Sequence, residues 1–238
     1  MDVGMMMVFA SYGWEDCSDA RVWDEEIRLA RLAADLGFDC LWSAEHHFND
    51  YSFVPDNLQL MTYLTALCPG VDLGTAAVIV PWHDPLRVAE QAAVLDMLSK
   101  GRLRLGLGRG LARREFAAFR LSMDESRERF DEAASMIVNA LNTGFIEGDG
   151  KFYKQPRIEI RPRPQYSFNG RIYAVASSED SIDSAAKLGC SPQNYRGLIP
   201  TSGYLRRWSS LLTSSRLKAS GSNSPHRPSP PSRTSGGI

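Results

Sequence analysis

The sequence has few cysteines and no long apolar run. Its four cysteines, Cys17, Cys40, Cys68 and Cys190, form no C-x-x-C pair, which is typical of a reduced chain. No stretch reaches the roughly 18 apolar residues that a membrane span needs, and the first residues lack the basic segment of a signal peptide. We therefore expect a cytoplasmic location and no membrane partner.

Acidic residues are absent from the last part of the chain. No Asp or Glu follows Asp183, whereas residues 191–238 carry seven Lys and Arg side chains. Because the whole chain of 238 residues has a formal net charge of -1, residues 1–190 carry -8. An acidic body of this kind argues against nucleic acid as a partner.

Metal-ligand spacings are also missing. None of the four histidines stands in an H-x-H or H-E-x-x-H pattern. His46 and His47 are adjacent, and an extended backbone directs adjacent side chains to opposite sides, so the two do not easily share one ion. We therefore predict no metal site.

The sequence does contain a repeated alternation of apolar strands and helical patterns. Apolar runs predict strands at 5–9, 38–43, 71–80, 103–107 and 172–176. Capping residues and helical spacing predict the helices between them; Asp84-Pro85, for example, is an N-cap followed by proline at the first helical position. This alternation predicts an α/β fold with a parallel sheet, and both a doubly wound sheet and a TIM barrel fit it.

Two segments depart from the alternation. Residues 151–164 are rich in proline and predict an exposed hairpin. Residues 191–238 contain 12 Ser and 6 Pro without apolar periodicity. We therefore divide the chain into a folded body, residues 1–190, and a disordered tail, residues 191–238. Residues 204–217 could form a basic amphipathic helix, and a membrane- or nucleic-acid-binding arm is the minority interpretation of the tail.

Glu45, His46 and His47 directly follow the second predicted strand. Residues at the carboxyl ends of strands face the active site in a TIM barrel, and imidazole exchanges protons near neutral pH. A helix-capping or packing role is the alternative for each histidine. The strand-end position favours a catalytic role for this trio.

Two further motifs follow later strands. Arg109 lies in the glycine-rich segment 104–110 that ends the fourth predicted strand, where glycine permits close approach to a ligand and arginine suits phosphate. A Rossmann G-x-G-x-x-G pattern fails because Leu111 occupies its sixth position. Ser178 and Ser181 begin the last predicted helix, where hydroxyls either bind an anion or cap the helix; taken alone, capping is favoured.

Together the motifs resemble the bacterial luciferase-like flavin monooxygenases. The resemblance runs through LWSAEHHF, GTAA, SKGRLRLGLGRG and YAVASS, in this order, over residues 5–190. It implies a TIM (β/α)8 barrel, of which about five strand–helix units are present, so we expect an incomplete barrel. Three further units of the family are not found, and a frameshift near Cys190 is our hypothesis for the tail, which the DNA downstream of that codon would reveal.

The resemblance also implies roles for individual residues. His46 matches the family's active-site histidine, flanked by Glu45 and His47, and Arg109 matches the arginine that holds the flavin phosphate. Ala76 and Ala77 match a segment under the flavin ring that contains a cis peptide bond. The implied cofactor-binding residues are Ala76, Ala77, Gly108, Arg109, Val175, Ser178 and Ser181.

The activity implied is oxygenation of an organic substrate, an aldehyde or another apolar compound, by reduced FMN and O2. A flavin reductase would supply the reduced FMN, and a dimer is expected from the family. Gly108 and Ser177 depart from the residues of light-emitting members, so light emission is not implied. The alternatives are a deazaflavin-dependent hydride-transfer enzyme of the same fold, or a catalytically dead remnant that binds flavin or a partner.

Overall fold

The structure is a computed structural model that describes residues 2–193. Its strands are β1 (Gly4–Met7), β2 (Cys40–Ser43), β3 (Asp72–Thr75), β4 (Val78–Ile79), β5 (Leu103–Gly108), β6 (Phe145–Asp149), β7 (Lys154–Glu159), β8 (Ile172–Val175) and β9 (Ser191–Gln193). Its helices are α1 (Asp19–Asp35), α2 (Asn57–Leu67), α3 (Pro85–Ser99), α4 (Arg113–Ala118), α5 (Ser126–Thr143) and α6 (Glu179–Lys187). Within residues 2–193, no helix is long and apolar enough to cross a membrane.

The main sheet is parallel, and its strands lie side by side in the order β1-β2-β3-β5-β8-β9. Each strand therefore adds to the same side of the strand before it. A doubly wound sheet would reverse this order at a switch point, whereas a (β/α)8 barrel does not. The prediction of an incomplete TIM-type barrel is confirmed, and the doubly wound alternative is wrong.

The local capping signals act as the sequence predicts. The Asp84 side chain accepts hydrogen bonds from the backbone N–H groups of Leu86 and Arg87, and Pro85 occupies the first turn of α3. For α1 the sequence predicts either Ser18 or Asp19 as the N-cap, and the structure shows that it is Ser18, whose hydroxyl accepts from the Arg21 N–H. These caps satisfy N–H groups that have no partner inside the helix, so the helices begin where the sequence specifies.

The predicted third strand, 71–80, is two strands in the structure. The peptide bond between Ala76 and Ala77 is cis, as the family resemblance implies, and it separates β3 from β4. β3 and β4 both pair with β5, at different positions along it. Periodicity did not reveal the break, because the residues on both sides of it are apolar and buried.

Two short elements escaped the sequence analysis, and one was misjudged in length. Helix α4, RREFAA, is too short for a 3.6-residue period to emerge. β9 begins at Ser191, and its backbone pairs with β8, so the sheet extends three residues past the boundary drawn at residue 190. The remainder of the predicted tail, including 204–217, lies outside the described residues. The predicted hairpin at 151–164 is the antiparallel pair β6–β7, which already begins at Phe145.

One buried ion pair joins α3 to the sheet. Arg171, just before β8, donates from Nη1 to Asp96 Oδ1 at 2.5 Å and from Nη2 to Asp96 Oδ2 at 3.1 Å. The same guanidinium donates to the backbone carbonyls of Gly101 and Leu103 at the start of β5. Both side chains are buried, so each charge depends on the other for its stabilisation.

We therefore predict that Asp96→Ala lowers the free energy of unfolding by about 3–5 kcal/mol, because Arg171 would remain buried without a counter-charge. Urea unfolding followed by circular dichroism measures this loss. The control is Glu25→Ala, which breaks the exposed Glu25–Arg28 pair and should cost at most about 1 kcal/mol. Equal losses in both variants would contradict a structural role for the buried pair.

Candidate functional site

A cavity of about 360 Å³ lies at the carboxyl ends of the parallel strands. Segments that follow β2, β3, β5 and β8 line it, which is where barrel folds carry their sites. Nine of the ten residues singled out from the sequence border this cavity: Glu45, His46, Ala76, Ala77, Gly108, Arg109, Val175, Ser178 and Ser181. The tenth, His47, lies behind it.

One wall of the cavity is built from small residues. A Cβ atom added to Gly108 would lie 2.9 Å from Cδ1 of Ile79 and 3.2 Å from the Cβ of Ala77. Only glycine therefore fits without displacing these neighbours. Together with Ala76 and Val175, this wall offers an apolar surface that suits a flat ring system.

Another part of the cavity is positively charged, because two arginines border it. Neither Arg109 nor Arg127 hydrogen bonds to a carboxylate among the described residues. Burial, followed by the neighbouring Arg127 charge, lowers the pKa of Arg109, although the charge of Asp131 opposes this. Two neighbouring guanidinium groups give this part of the cavity a positive charge, which an anion would neutralise.

Arg127 carries no signal in the sequence that would assign it to the site. The residue lies in the first turn of α5, well separated from the glycine-rich segment, and α5 is rich in charged residues. It reaches Arg109 only through the tertiary placement of α5, which packs against α3 and the segment Val80–Trp82.

The hydroxyls of Ser178 and Ser181 form a capping box at the start of α6. Ser178 Oγ accepts from the Ser181 N–H at 3.3 Å, and Ser181 Oγ accepts from the Ser178 N–H at 2.8 Å. The capping interpretation is thus confirmed. Both residues border the same cavity as Arg109. A role of their hydroxyls in holding a phosphate stays a prediction.

Glu45 is the most buried charged residue of the site, with 1% of its surface exposed. Its Oε2 accepts from the Ile79 N–H at 2.9 Å, and its Oε1 lies 2.7 Å from His83 Nε2 and 3.2 Å from His47 Nε2. Burial raises the Glu45 pKa, but the hydrogen bonds from both histidines and the attraction of His83 outweigh it, so the pKa is lowered. Conversely, burial lowers the His83 pKa, and the bond to Glu45 outweighs this and raises it.

His47 faces away from the cavity. Its ring lies edge-on to Trp82 and Phe119, with centroid distances of 5.4 and 4.8 Å. With its Nε2 on Glu45, it serves as a packing and hydrogen-bonding residue. His83, which the sequence analysis did not select, is the histidine with the shorter contact to Glu45.

His46 borders the cavity, with 35% of its side chain exposed, and its Nδ1 lies 3.2 Å from Oε1 of Glu115. The same oxygen accepts the His47 backbone N–H at 2.8 Å. Glu115 lies on α4, the short helix that periodicity did not reveal. Among residues 2–193, no group of three or more His, Cys, Asp or Glu side chains is arranged to hold a metal ion.

The fold and the cavity together define a barrel-type protein whose candidate site has an apolar wall, two arginines and a histidine within hydrogen-bonding distance of a buried carboxylate. The profile of the luciferase-like monooxygenases matches residues 1–190, and the chain belongs to this family.

Several relatives are named oxygenases. The alkanal monooxygenase alpha chain of Photorhabdus laumondii is 30% identical over 172 residues, which are 72% of this chain and 48% of that protein. The oxygenase component of the flavin-dependent trigonelline monooxygenase of Acinetobacter baylyi is 30% identical over 175 residues, 73% of this chain and 48% of that protein. The chain spans about half the length of the curated relatives it matches.

Among solved structures, the monooxygenase RslO1 of Streptomyces bottropensis is similar, with 29% identity and a TM-score of 0.80. The match covers 94% of this chain and 68% of RslO1. This likeness places the described sheet and helices in the barrel fold of the family.

The Glu45–His83 pair predicts a pH dependence of stability. Because the folded-state pKa of His83 is raised above 6.5, the stabilisation from its protonated form is fully present below about pH 6.5 and is lost as pH rises through the folded-state pKa. His83→Gln removes this component, so the free energy of unfolding should fall less between about pH 6 and about pH 9 than in the wild type.

Urea unfolding across this pH range tests the pair. Glu25→Ala, at an exposed site on α1, is the control and should keep the wild-type pH profile. An unchanged profile in His83→Gln would show that the pair does not contribute.

Proposed function

We propose that this protein is a flavin-dependent monooxygenase that uses reduced FMN and O2 to oxygenate an apolar organic substrate. The observation that carries this proposal is that one cavity combines two features. A wall of small apolar residues lines part of it, and Arg109 and Arg127, two guanidinium groups without carboxylate hydrogen bonds among the described residues, also border it. FMN has this same division into a flat ring system and a phosphate.

The residues present fit FMN. Ala76, Ala77, Gly108 and Val175 would lie along the ring, because all four border the cavity and none carries a polar side chain. Arg109 and Arg127 would hold the phosphate through charge-assisted hydrogen bonds, assisted by the hydroxyl of Ser178. When bound, reduced flavin supplies the electrons that activate O2.

The chain's own residues would orient the reactants and manage protons. His46 borders the cavity and is held from behind by a carboxylate, which suits a residue that takes or gives a proton. Trp82, Ile79 and Leu111 add apolar surface at the cavity, which favours an apolar substrate and the exclusion of water.

The names of the relatives support this proposal. One is an alkanal monooxygenase and another is the oxygenase component of a flavin-dependent monooxygenase. An oxygenase component implies a separate reductase, so we propose a flavin reductase as the partner that supplies reduced FMN. The dimer and the cytoplasmic location stay predictions.

Arg109→Ala should weaken FMN binding about ten- to a hundredfold and leave riboflavin affinity nearly unchanged, since riboflavin lacks the phosphate and a charge-assisted bond is worth about 1.5–3 kcal/mol. Fluorescence titration of the full chain measures both affinities. Arg113→Ala, an exposed position on α4 outside the cavity lining, is the control. Equal weakening of both ligands would contradict the phosphate role, and tighter binding of a deazaflavin cofactor than of FMN would favour the hydride-transfer alternative.

His46→Ala should lower turnover with reduced FMN by about two to four orders of magnitude while reduced FMN still binds, because the loss of a proton-transfer group affects the reaction step. Stopped-flow measurement of turnover and a separate anaerobic titration of reduced FMN distinguish the two effects. Unchanged turnover would remove His46 from the reaction.

A further inference from the structure

Glu115 is a buried acid on a helix whose other charges face solvent. Arg113 and Arg114, its neighbours on α4, are exposed, whereas Glu115 has 3% of its surface exposed and borders the cavity. Burying a carboxylate is costly unless hydrogen bonds compensate it. The partners of Glu115 therefore indicate why it is there.

The two hydrogen bonds of Glu115 converge on one oxygen. Oε1 accepts the backbone N–H of His47 at 2.8 Å and lies 3.2 Å from Nδ1 of His46. Because this oxygen already acts as an acceptor for His47, the proton of the second bond belongs on the His46 nitrogen. The ring then carries its proton on Nδ1, and Nε2 keeps a lone pair without a hydrogen-bond partner among the described residues.

The second oxygen of Glu115 distinguishes it from the structural acids of this chain. Asp96 uses both oxygens on Arg171, and Glu132 uses both on backbone N–H groups of the β6–β7 turn. Oε2 of Glu115 is buried and has no hydrogen-bond partner among the described residues. An acid that only supported the fold would not leave half of its acceptors unused at this burial.

We propose that Glu115 is a positioning residue that fixes neutral His46 as the Nδ1–H tautomer and so offers the Nε2 lone pair to the cavity. This role rests on the proposed function. In the reaction, Nε2 accepts a proton from a group bound in the cavity, and the bond between that group and the proton breaks. The resulting imidazolium charge is balanced by the Glu115 carboxylate.

The tautomer is measurable without flavin, turnover or partner. Proton–nitrogen correlation spectra of the 15N-histidine-labelled full chain report which ring nitrogen carries the proton, and His46→Gln assigns the His46 signals among the four histidines. At a pH where His46 is neutral, we expect protonated Nδ1 and unprotonated Nε2. Protonation on Nε2 in the wild type would overturn the proposal, whatever the result for flavin binding.

Two substitutions make the test specific. Glu115→Met keeps the side-chain length but removes the acceptor, so His46 should lose its fixed Nδ1–H form. Glu115→Gln keeps an acceptor oxygen and should retain it. Circular dichroism confirms folding of each variant; if the methionine variant does not fold, the wild-type and glutamine spectra still decide.

The functional consequence separates positioning from binding. In a chain that turns over, Glu115→Met should lower kcat about ten- to a hundredfold, with glutamine restoring part of it, while FMN affinity stays unchanged. A fixed tautomer that persists in folded Glu115→Met, or an unchanged kcat, would overturn the role of Glu115. Absence of FMN binding in the wild type would instead contradict the proposed function and leave the tautomer result standing.

Discussion

Parallel pairing of strands in chain order is the constraint on which the site depends. Because β2, β3, β5 and β8 run in the same direction, their carboxyl ends meet at one edge of the sheet. Four segments separated by up to about 130 residues thereby contribute to one cavity. An antiparallel arrangement of the same strands would divide these segments between two edges.

The buried acids Glu45 and Glu115 organise the histidines of this edge. Glu115 uses one oxygen for both the His47 backbone N–H and the His46 imidazole. Glu45 accepts the Ile79 N–H with one oxygen and contacts the His83 imidazole with the other. Charged acceptors strengthen such bonds in a poorly solvated site. As a result, His46 borders the cavity, while His47 and His83 hydrogen bond to the Glu45 carboxylate.

The cavity joins an apolar wall to a positively charged end. Its wall of small residues is apolar, and its arginine end carries positive charge that an anion would neutralise. The charge of Asp131 offsets part of the repulsion between Arg109 and Arg127, and a bound anion would reduce it further. These two ends are the observations from which we propose a ligand with a ring and a phosphate.

Much of the fold was predictable because its signals are local. Apolar runs specified the principal strands, and residues such as Asp84 and Ser18 specified helix starts through their own backbone hydrogen bonds. Periodicity alone left the doubly wound sheet and the barrel equally open, because it contains no information on which side each strand is added. Short elements such as α4 and β9 gave no periodic signal.

The residues of the site likewise divide into those that the sequence identified and those that it did not. Motifs around His46, Arg109 and Ser178 identified residues that border the cavity, because each directly follows a strand whose end faces it. Arg127, His83 and Glu115 lie on separate elements without a motif and reach the site only through packing. The sequence by itself therefore determined the strands, the caps and the strand-end motifs, whereas tertiary structure decided which charges meet, since hydrogen bonds between distant segments depend on the way the helices pack against the sheet.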